Sequence, residues 1–224
     1  MKFSRNLLSI PNLLSFARIF LIPLFVYLIF MPSRNARALA LLIFIIASFT
    51  DLLDGWSARK LKQESEEGKF LDPLADKILV VSALVALLLL DPLIPLWMIL
   101  IIAGRDILIT LLRYFAVQKG GSLKTSRFGK IKTAYQMVSI ILIIVILIAR
   151  KEYIKVGGKS FLDDKNVWDI MNSELSLQEI SLIVAPYWIM FLATMLTAFS
   201  GFRYIYTNWK LFWPDRANKN LKEK

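Results

Sequence analysis

The stretch Asp51-Leu-Leu-Asp54-Gly55-Trp-Ser-Ala58-Arg59, followed after Lys60–Glu67 by Gly68-Lys-Phe-Leu-Asp72-Pro-Leu-Ala-Asp76, decides the reading of this chain. Its four aspartates stand at the ends of strongly apolar segments. A carboxylate carried into a bilayer is costly, so acids placed there face a polar interior or take part in chemistry. On a helix, residues three, four or seven apart share a face. Asp51, Asp54 and Ala58 are spaced that way, and Gly68, Asp72 and Asp76 follow at intervals of four. Two helix ends facing each other would aim all four carboxylates at one point. Such charges repel unless cations lie between them. A pair of divalent ions about 3.5–4 Å apart, bridged by carboxylates, is a known arrangement for displacement at phosphorus. Gly55, Ala58 and Gly68 leave the backbone uncrowded for a pyrophosphate, and Arg59 can meet its oxygens bidentately. Pro73 lacks an N–H and is expected in an opening turn or at a kink. The plainer explanation is helix caps and salt bridges with Arg59, Lys60, Lys62 and Lys77. It accounts for any one aspartate, but poorly for four with glycines at these intervals.

Outward from this stretch the chain is a membrane protein by composition. Of 224 residues, 57% are hydrophobic, and the mean hydropathy is +0.57; soluble domains are about 45–50% apolar. The net charge of +11 fits cytoplasmic loops and anionic headgroups. No separate basic soluble domain exists to bind nucleic acid. Cysteine and histidine are both absent. That excludes disulfides, iron–sulfur clusters, imidazole metal sites and Cys or His nucleophile–base systems. Any metal is held by oxygen, which points to Mg²⁺ or Mn²⁺.

Apolar patterning predicts an all-α, polytopic fold with six transmembrane helices. They cover about 12–31, 36–61, 70–90, 95–117, 128–149 and 182–208. Several reach the ~20 residues needed to cross a bilayer only by including polar residues. Those residues are expected to face the bundle interior. Residues 1–10 alternate basic and apolar positions and form either a short interfacial helix or a frayed tail; they are too short and polar for a cleaved signal. Residues 11–210 form the transmembrane catalytic domain, with 150–180 as an extended loop, and 211–224 a basic tail. Lysine and arginine are concentrated in the Arg59–Lys69 and Lys119–Lys132 loops and the tail, and absent from the Asp91–Ile94 turn. This places both termini and the aspartate loop on the cytoplasmic side of the inner membrane. Arg34, Arg37 and the mixed-charge 150–180 loop fit that orientation less well.

The Asp51–Asp76 stretch resembles the signature of the CDP-alcohol phosphatidyltransferases, D-x-x-D-G-x-x-A-R, eight residues, then G-x-x-x-D-x-x-x-D, and every fixed position matches. The resemblance implies a six-helix membrane enzyme, usually a homodimer, that uses two divalent cations and CDP-diacylglycerol. It implies that Asp51, Asp54, Asp72 and Asp76 are metal ligands, that Asp76 is the base, and that Gly55, Ala58, Arg59 and Gly68 line the CDP site. A divalent-cation transporter using the acids as its filter is the alternative from another class. The clustering of the acids near one membrane face speaks against it, since transporter sites lie near the midplane.

The second substrate is read from Gly104-Arg105-Asp106, Arg113 and Gly129-Lys130-Ile-Lys132-Thr133-Ala-Tyr-Gln136. Arg105 and Arg113 lie about two turns apart, roughly on one face. With Lys130 and Lys132 they are expected to form an anion pocket for an alcohol carrying its own phosphate. The plainer alternative is that Arg105 pairs with Asp106 or a site aspartate and the lysines mark the cytoplasmic side. These segments, with Ile10-Pro11-Asn12-Leu-Leu-Ser-Phe-Ala-Arg18, Pro23 and, weakly, Ser200-Gly201-Phe-Arg203-Tyr204, resemble the branch of the family whose acceptor is glycerol 3-phosphate. Branches using phosphatidylglycerol or inositol phosphate remain open. The resemblance fails over the 150–180 loop, which is longer than the family's usual loop.

Overall fold

The computed structural model describes the backbone of residues 10–61, 66–118, 127–153 and 167–212, and within these the surroundings of side chains 17–50, 77–114, 129, 131–150 and 167–208. Among the described residues the chain is entirely helical: α1 Ile10–Phe30, α2 Arg34–Leu61, α3 Glu66–Leu90, α4 Leu96–Gln118, α5 Arg127–Tyr153, α6 Val167–Met171 and α7 Leu177–Phe212. Residues 1–9 and the basic tail from 213 onward, for which an interfacial segment and a cytoplasmic tail were expected, lie outside the described residues.

Local sequence explains the boundaries. Pro11 falls in the first turn of α1, where its missing N–H has no intrahelical partner to lose. Pro32 follows the end of α1 and cannot continue it. Pro92 and Pro95 separate α3 from α4. α7 starts with a reciprocal cap: Glu179 N donates to Ser176 Oγ at 3.3 Å, while Ser176 N and Oγ donate to Glu179 Oε2 at 3.0 and 2.8 Å. This satisfies donors that a helix start otherwise leaves open. α7 then continues for 36 residues, about 54 Å at 1.5 Å per residue.

Two helical stretches, Ile131–Arg150 and Leu177–Asn208, are long and apolar enough to cross a membrane; Ala17–Phe30 and Lys77–Leu90 are apolar but shorter. The expected six apolar helices correspond in position to α1 to α5 and α7. Two details differ from expectation. α3 begins at Glu66, so Pro73 lies about two turns inside it rather than in its opening turn. The 150–180 segment also contains the helix α6.

The chain divides into two compact units: residues 1–95 with 137–189, and residues 96–136 with 190–224. In the first unit α1 lies against α2 and α3. Phe25 and Phe44 meet with ring centroids 5.6 Å apart. Ala40 and Ala47 on α2 and Ala83 on α3 are buried; small residues let apolar helices approach closely. At one end, Leu93, Ile170, Ile183 and Val184 form a buried cluster joined by Val167, Leu175 and Ile180. Ile170 is thus the buried anchor of α6, a helix only five residues long that otherwise leaves Trp168 and Met171 exposed. An ion pair organises the same end. Arg150 Nη2 lies 2.7 Å from Asp91 Oδ2 and donates to the Ile183 carbonyl at 3.3 Å, and Asp91 Oδ1 accepts from Leu93 N at 3.1 Å. Asp91 is fully buried.

In the second unit, Met98, Ile102 and Ile109 of α4 and Met190 and Ala193 of α7 are buried, and Trp97 meets Phe191 edge-on at 6.3 Å. Both units turn large apolar side chains outward, among them Phe20, Tyr27 and Phe49 in the first and Leu100, Phe199 and Phe202 in the second. Meanwhile Arg18, Asp91 and Lys132 are buried. Exposed apolar surface of this extent around buried charge is the pattern of a chain whose outer solvent is lipid.

Candidate functional site

The described polar centre of the second unit is built on Asp106. α4 carries Arg105 and Asp106 next to each other. Lys132 comes from the first turns of α5. Lys132 Nζ donates to both carboxylate oxygens, 2.6 Å to Oδ1 and 2.8 Å to Oδ2. Arg105 Nη1 donates to Oδ1 at 3.0 Å. The burial is unequal: the Lys132 side chain is 3% exposed and that of Asp106 23%. Arg105 reaches the other way as well, with Nη2 donating to Ser200 Oγ on α7 at 2.8 Å. Its Nε is buried and has no hydrogen-bond partner among the described residues.

Two cations share one carboxylate here, so the trio keeps a positive charge of one. An oxyanion presented to it gains charge-assisted hydrogen bonds, and a guanidinium suits phosphate in particular.

The structure therefore brings Arg105 and Lys132 of the expected anion pocket together. It does so through Asp106, so the plainer alternative, an Arg105–Asp106 pair, is present in the same cluster. Arg113, eight residues along α4, is exposed and takes no part in this ion pair among the described residues. The side chain of Lys130 lies outside the described residues. Sequence reasoning missed Asp106 as the centre and Ser200 as a partner of Arg105. It also gave no role to buried Arg18, Gln136, Thr197 and Tyr204. The local signals were the quoted motifs that contain Arg18, Gln136, Ser200 and Tyr204, and polar residues recurring at helical spacing along α7, Thr197, Ser200, Tyr204 and Asn208.

Both halves of the aspartate stretch are helical. α2 runs through Asp51, Asp54, Gly55, Ala58 and Arg59, and α3 through Gly68, Asp72 and Asp76. The helical spacing inferred for each half is therefore present in the backbone. The side chains of these eight residues lie outside the described residues, and among the described residues no cluster of three or more acids forms a metal site. As a donor set the four aspartates suit a hard divalent cation, since they offer only oxygen and the chain has no histidine or cysteine.

Comparison with known proteins shows the family. The family model for CDP-alcohol phosphatidyltransferase matches residues 8–199. A CDP-diacylglycerol–glycerol-3-phosphate 3-phosphatidyltransferase of Bacillus subtilis is 39% identical over 144 residues, covering 59% of this chain and 74% of that protein. The protein of the same name from Salmonella paratyphi A is 40% identical over 137 residues, covering 59% and 74%. That from Pseudomonas fluorescens is 37% identical over 143 residues, covering 61% and 72%. With the match running from before α1 into α7 and through both halves of the aspartate stretch, this chain belongs to the CDP-alcohol phosphatidyltransferase family.

Proposed function

We propose that this protein transfers the phosphatidyl group of CDP-diacylglycerol to sn-glycerol 3-phosphate, giving phosphatidylglycerophosphate and CMP. The observation that carries this reading is that relatives 37–40% identical, matched over 72–74% of their own length, are CDP-diacylglycerol–glycerol-3-phosphate 3-phosphatidyltransferases. The positive trio Arg105, Asp106 and Lys132 supports it, because this acceptor brings a phosphate of its own.

In this reading Asp51, Asp54, Asp72 and Asp76 hold two divalent cations, Mg²⁺ or Mn²⁺. When bound, these supply charge neutralisation at the pyrophosphate and polarise the reacting phosphorus. Gly55, Ala58 and Gly68 leave room for the CDP moiety, and Arg59 grips its phosphate oxygens. Arg105, Arg113, Lys130 and Lys132 bind and orient the phosphate of the acceptor. Asp76 accepts the proton of the acceptor's primary hydroxyl as its oxygen bonds to the phosphorus bearing diacylglycerol; the bond from that phosphorus to CMP breaks, and CMP leaves with the electron pair. A positioned base contributes roughly 10²–10⁴-fold in rate, and holding both substrates in place supplies much of the rest. The six apolar helices cross the inner membrane, both termini and the aspartate loop face the cytoplasm, and the protein works as a homodimer in contact with membrane lipids.

The test is CMP release by the purified protein with CDP-diacylglycerol and Mg²⁺, offered in turn glycerol 3-phosphate, inositol phosphate, serine and phosphatidylglycerol. Turnover with glycerol 3-phosphate well above the others is expected. Turnover with phosphatidylglycerol alone would assign the chain to cardiolipin synthesis instead. Stabilisation of the protein by CDP against heat separates either enzyme from a cation transporter, which has no reason to recognise cytidine.

A further inference from the structure

We propose that Ser200 and Gly201 of α7 are positioning residues that hold the Arg105 guanidinium ready for the phosphate of the acceptor. The proposal rests on the reading of Arg105 as a phosphate ligand and adds what keeps it in place. An arginine side chain is long and loses much rotamer freedom when ordered. Its contacts must offset that loss before the substrate arrives. Two contacts do so here, from different sides. Asp106 takes Nη1 at 3.0 Å, and Ser200 Oγ takes Nη2 at 2.8 Å. Ser200 is 3% exposed, so bulk water does not compete for that bond.

Gly201 contributes by lacking a side chain. A Cβ at this position would lie 2.9 Å from Arg105 Cγ, 3.7 Å from Nε and 3.9 Å from Cδ. The stem of Arg105 therefore passes directly over the α7 backbone. Glycine inside a helix is unfavourable relative to alanine, and here the close passage of the arginine is the compensating reason for it. Nε takes part in neither contact; it is buried and has no hydrogen-bond partner among the described residues. The same face of α7 carries Thr197 Oγ1 and Tyr204 OH, also buried and without hydrogen-bond partners among the described residues. At this level α7 is a polar wall rather than an apolar packing surface.

The experiment is steady-state kinetics of the full-length protein in detergent–lipid micelles. The variants are Arg105→Ala, Ser200→Ala, Ser200→Thr, Gly201→Ala and the double variant Arg105→Ala/Ser200→Ala. Ser200→Ala is expected to raise KM for glycerol 3-phosphate roughly three- to tenfold, the worth of one lost hydrogen bond. KM for CDP-diacylglycerol stays unchanged. Ser200→Thr, which keeps the hydroxyl, restores most of the loss. Gly201→Ala displaces the stem and mimics Ser200→Ala. In the Arg105→Ala background, Ser200→Ala adds nothing further. If Arg105→Ala raises KM for glycerol 3-phosphate but Ser200→Ala and Gly201→Ala leave it alone, or move both KM values equally, the positioning role is overturned and the phosphate pocket stands. If Arg105→Ala itself leaves that KM unmoved, the pocket reading falls and takes the positioning role with it. Should Ser200→Ala not accumulate as folded protein, Ser200→Thr and Gly201→Ala give the same decision.

Discussion

Removing either end of the Lys132–Asp106 ion pair should destabilise the protein by very different amounts. Take Asp106→Ala first. Lys132 is left 3% exposed, and its ammonium loses both oxygens, at 2.6 and 2.8 Å. Removing one partner of a buried ion pair costs about 3–5 kcal/mol. Now take Lys132→Met. Asp106 is 23% exposed and keeps Arg105 at 3.0 Å, so no charge is stranded. Methionine also refills most of the volume of the lysine stem. The loss should then be about 1 kcal/mol, the worth of an ordinary hydrogen bond. The gap of about 2–4 kcal/mol corresponds to roughly 30- to 700-fold in the unfolding equilibrium, at about 1.4 kcal/mol per tenfold. Reversible unfolding of both variants in mixed micelles, followed by circular dichroism, measures it. Equal losses, or a larger loss for Lys132→Met, would refute the reasoning from unequal burial.

Asp76→Asn should lower turnover by about 10²–10⁴-fold while the protein still inserts and binds CDP; near-normal CMP release would remove Asp76 as the base. Arg113→Ala should raise KM for glycerol 3-phosphate more than for CDP-diacylglycerol, and equal effects on both would take Arg113 out of the pocket. Chelation by EDTA should abolish CMP release, with Mg²⁺ or Mn²⁺ restoring it; activity persisting under chelation would contradict the aspartate metal site. Asp91→Ala should cost about 3 kcal/mol by stranding Arg150, whose side chain is 11% exposed, and adding Arg150→Met should recover part of that loss in a double-mutant cycle; a double variant no more stable than Asp91→Ala would show that the pair does not act as a unit.

The residues of this chain determine its helices and the register of its acidic signature almost by themselves, because both depend on short-range order. Runs such as Ile78–Leu90 and Ala134–Ala149 are apolar enough to fix α3 and α5 before any packing is considered. The three- and four-residue intervals from Asp51 to Ala58 and from Gly68 to Asp76 become helical faces as soon as α2 and α3 form. The start of α3 was expected near 70 rather than 66, since apolar patterning passes over a polar first turn such as Glu66 to Lys69. α6 was hidden because five residues carry too little periodicity to stand out from a charged loop. It exists because Ile170 finds Leu93 and Ile183.

The anion pocket divides along the same line. That Arg105 and Lys132 are costly inside apolar helices was legible from their surroundings in the chain. That both turn onto Asp106, and that Arg105 is braced by Ser200 from 95 residues away, was decided only when α4, α5 and α7 packed. Periodicity places a residue on a face, but the partner of that face comes from chain contacts at long range. Only the tertiary structure could therefore choose whether these cations would pair, share a carboxylate or stand apart.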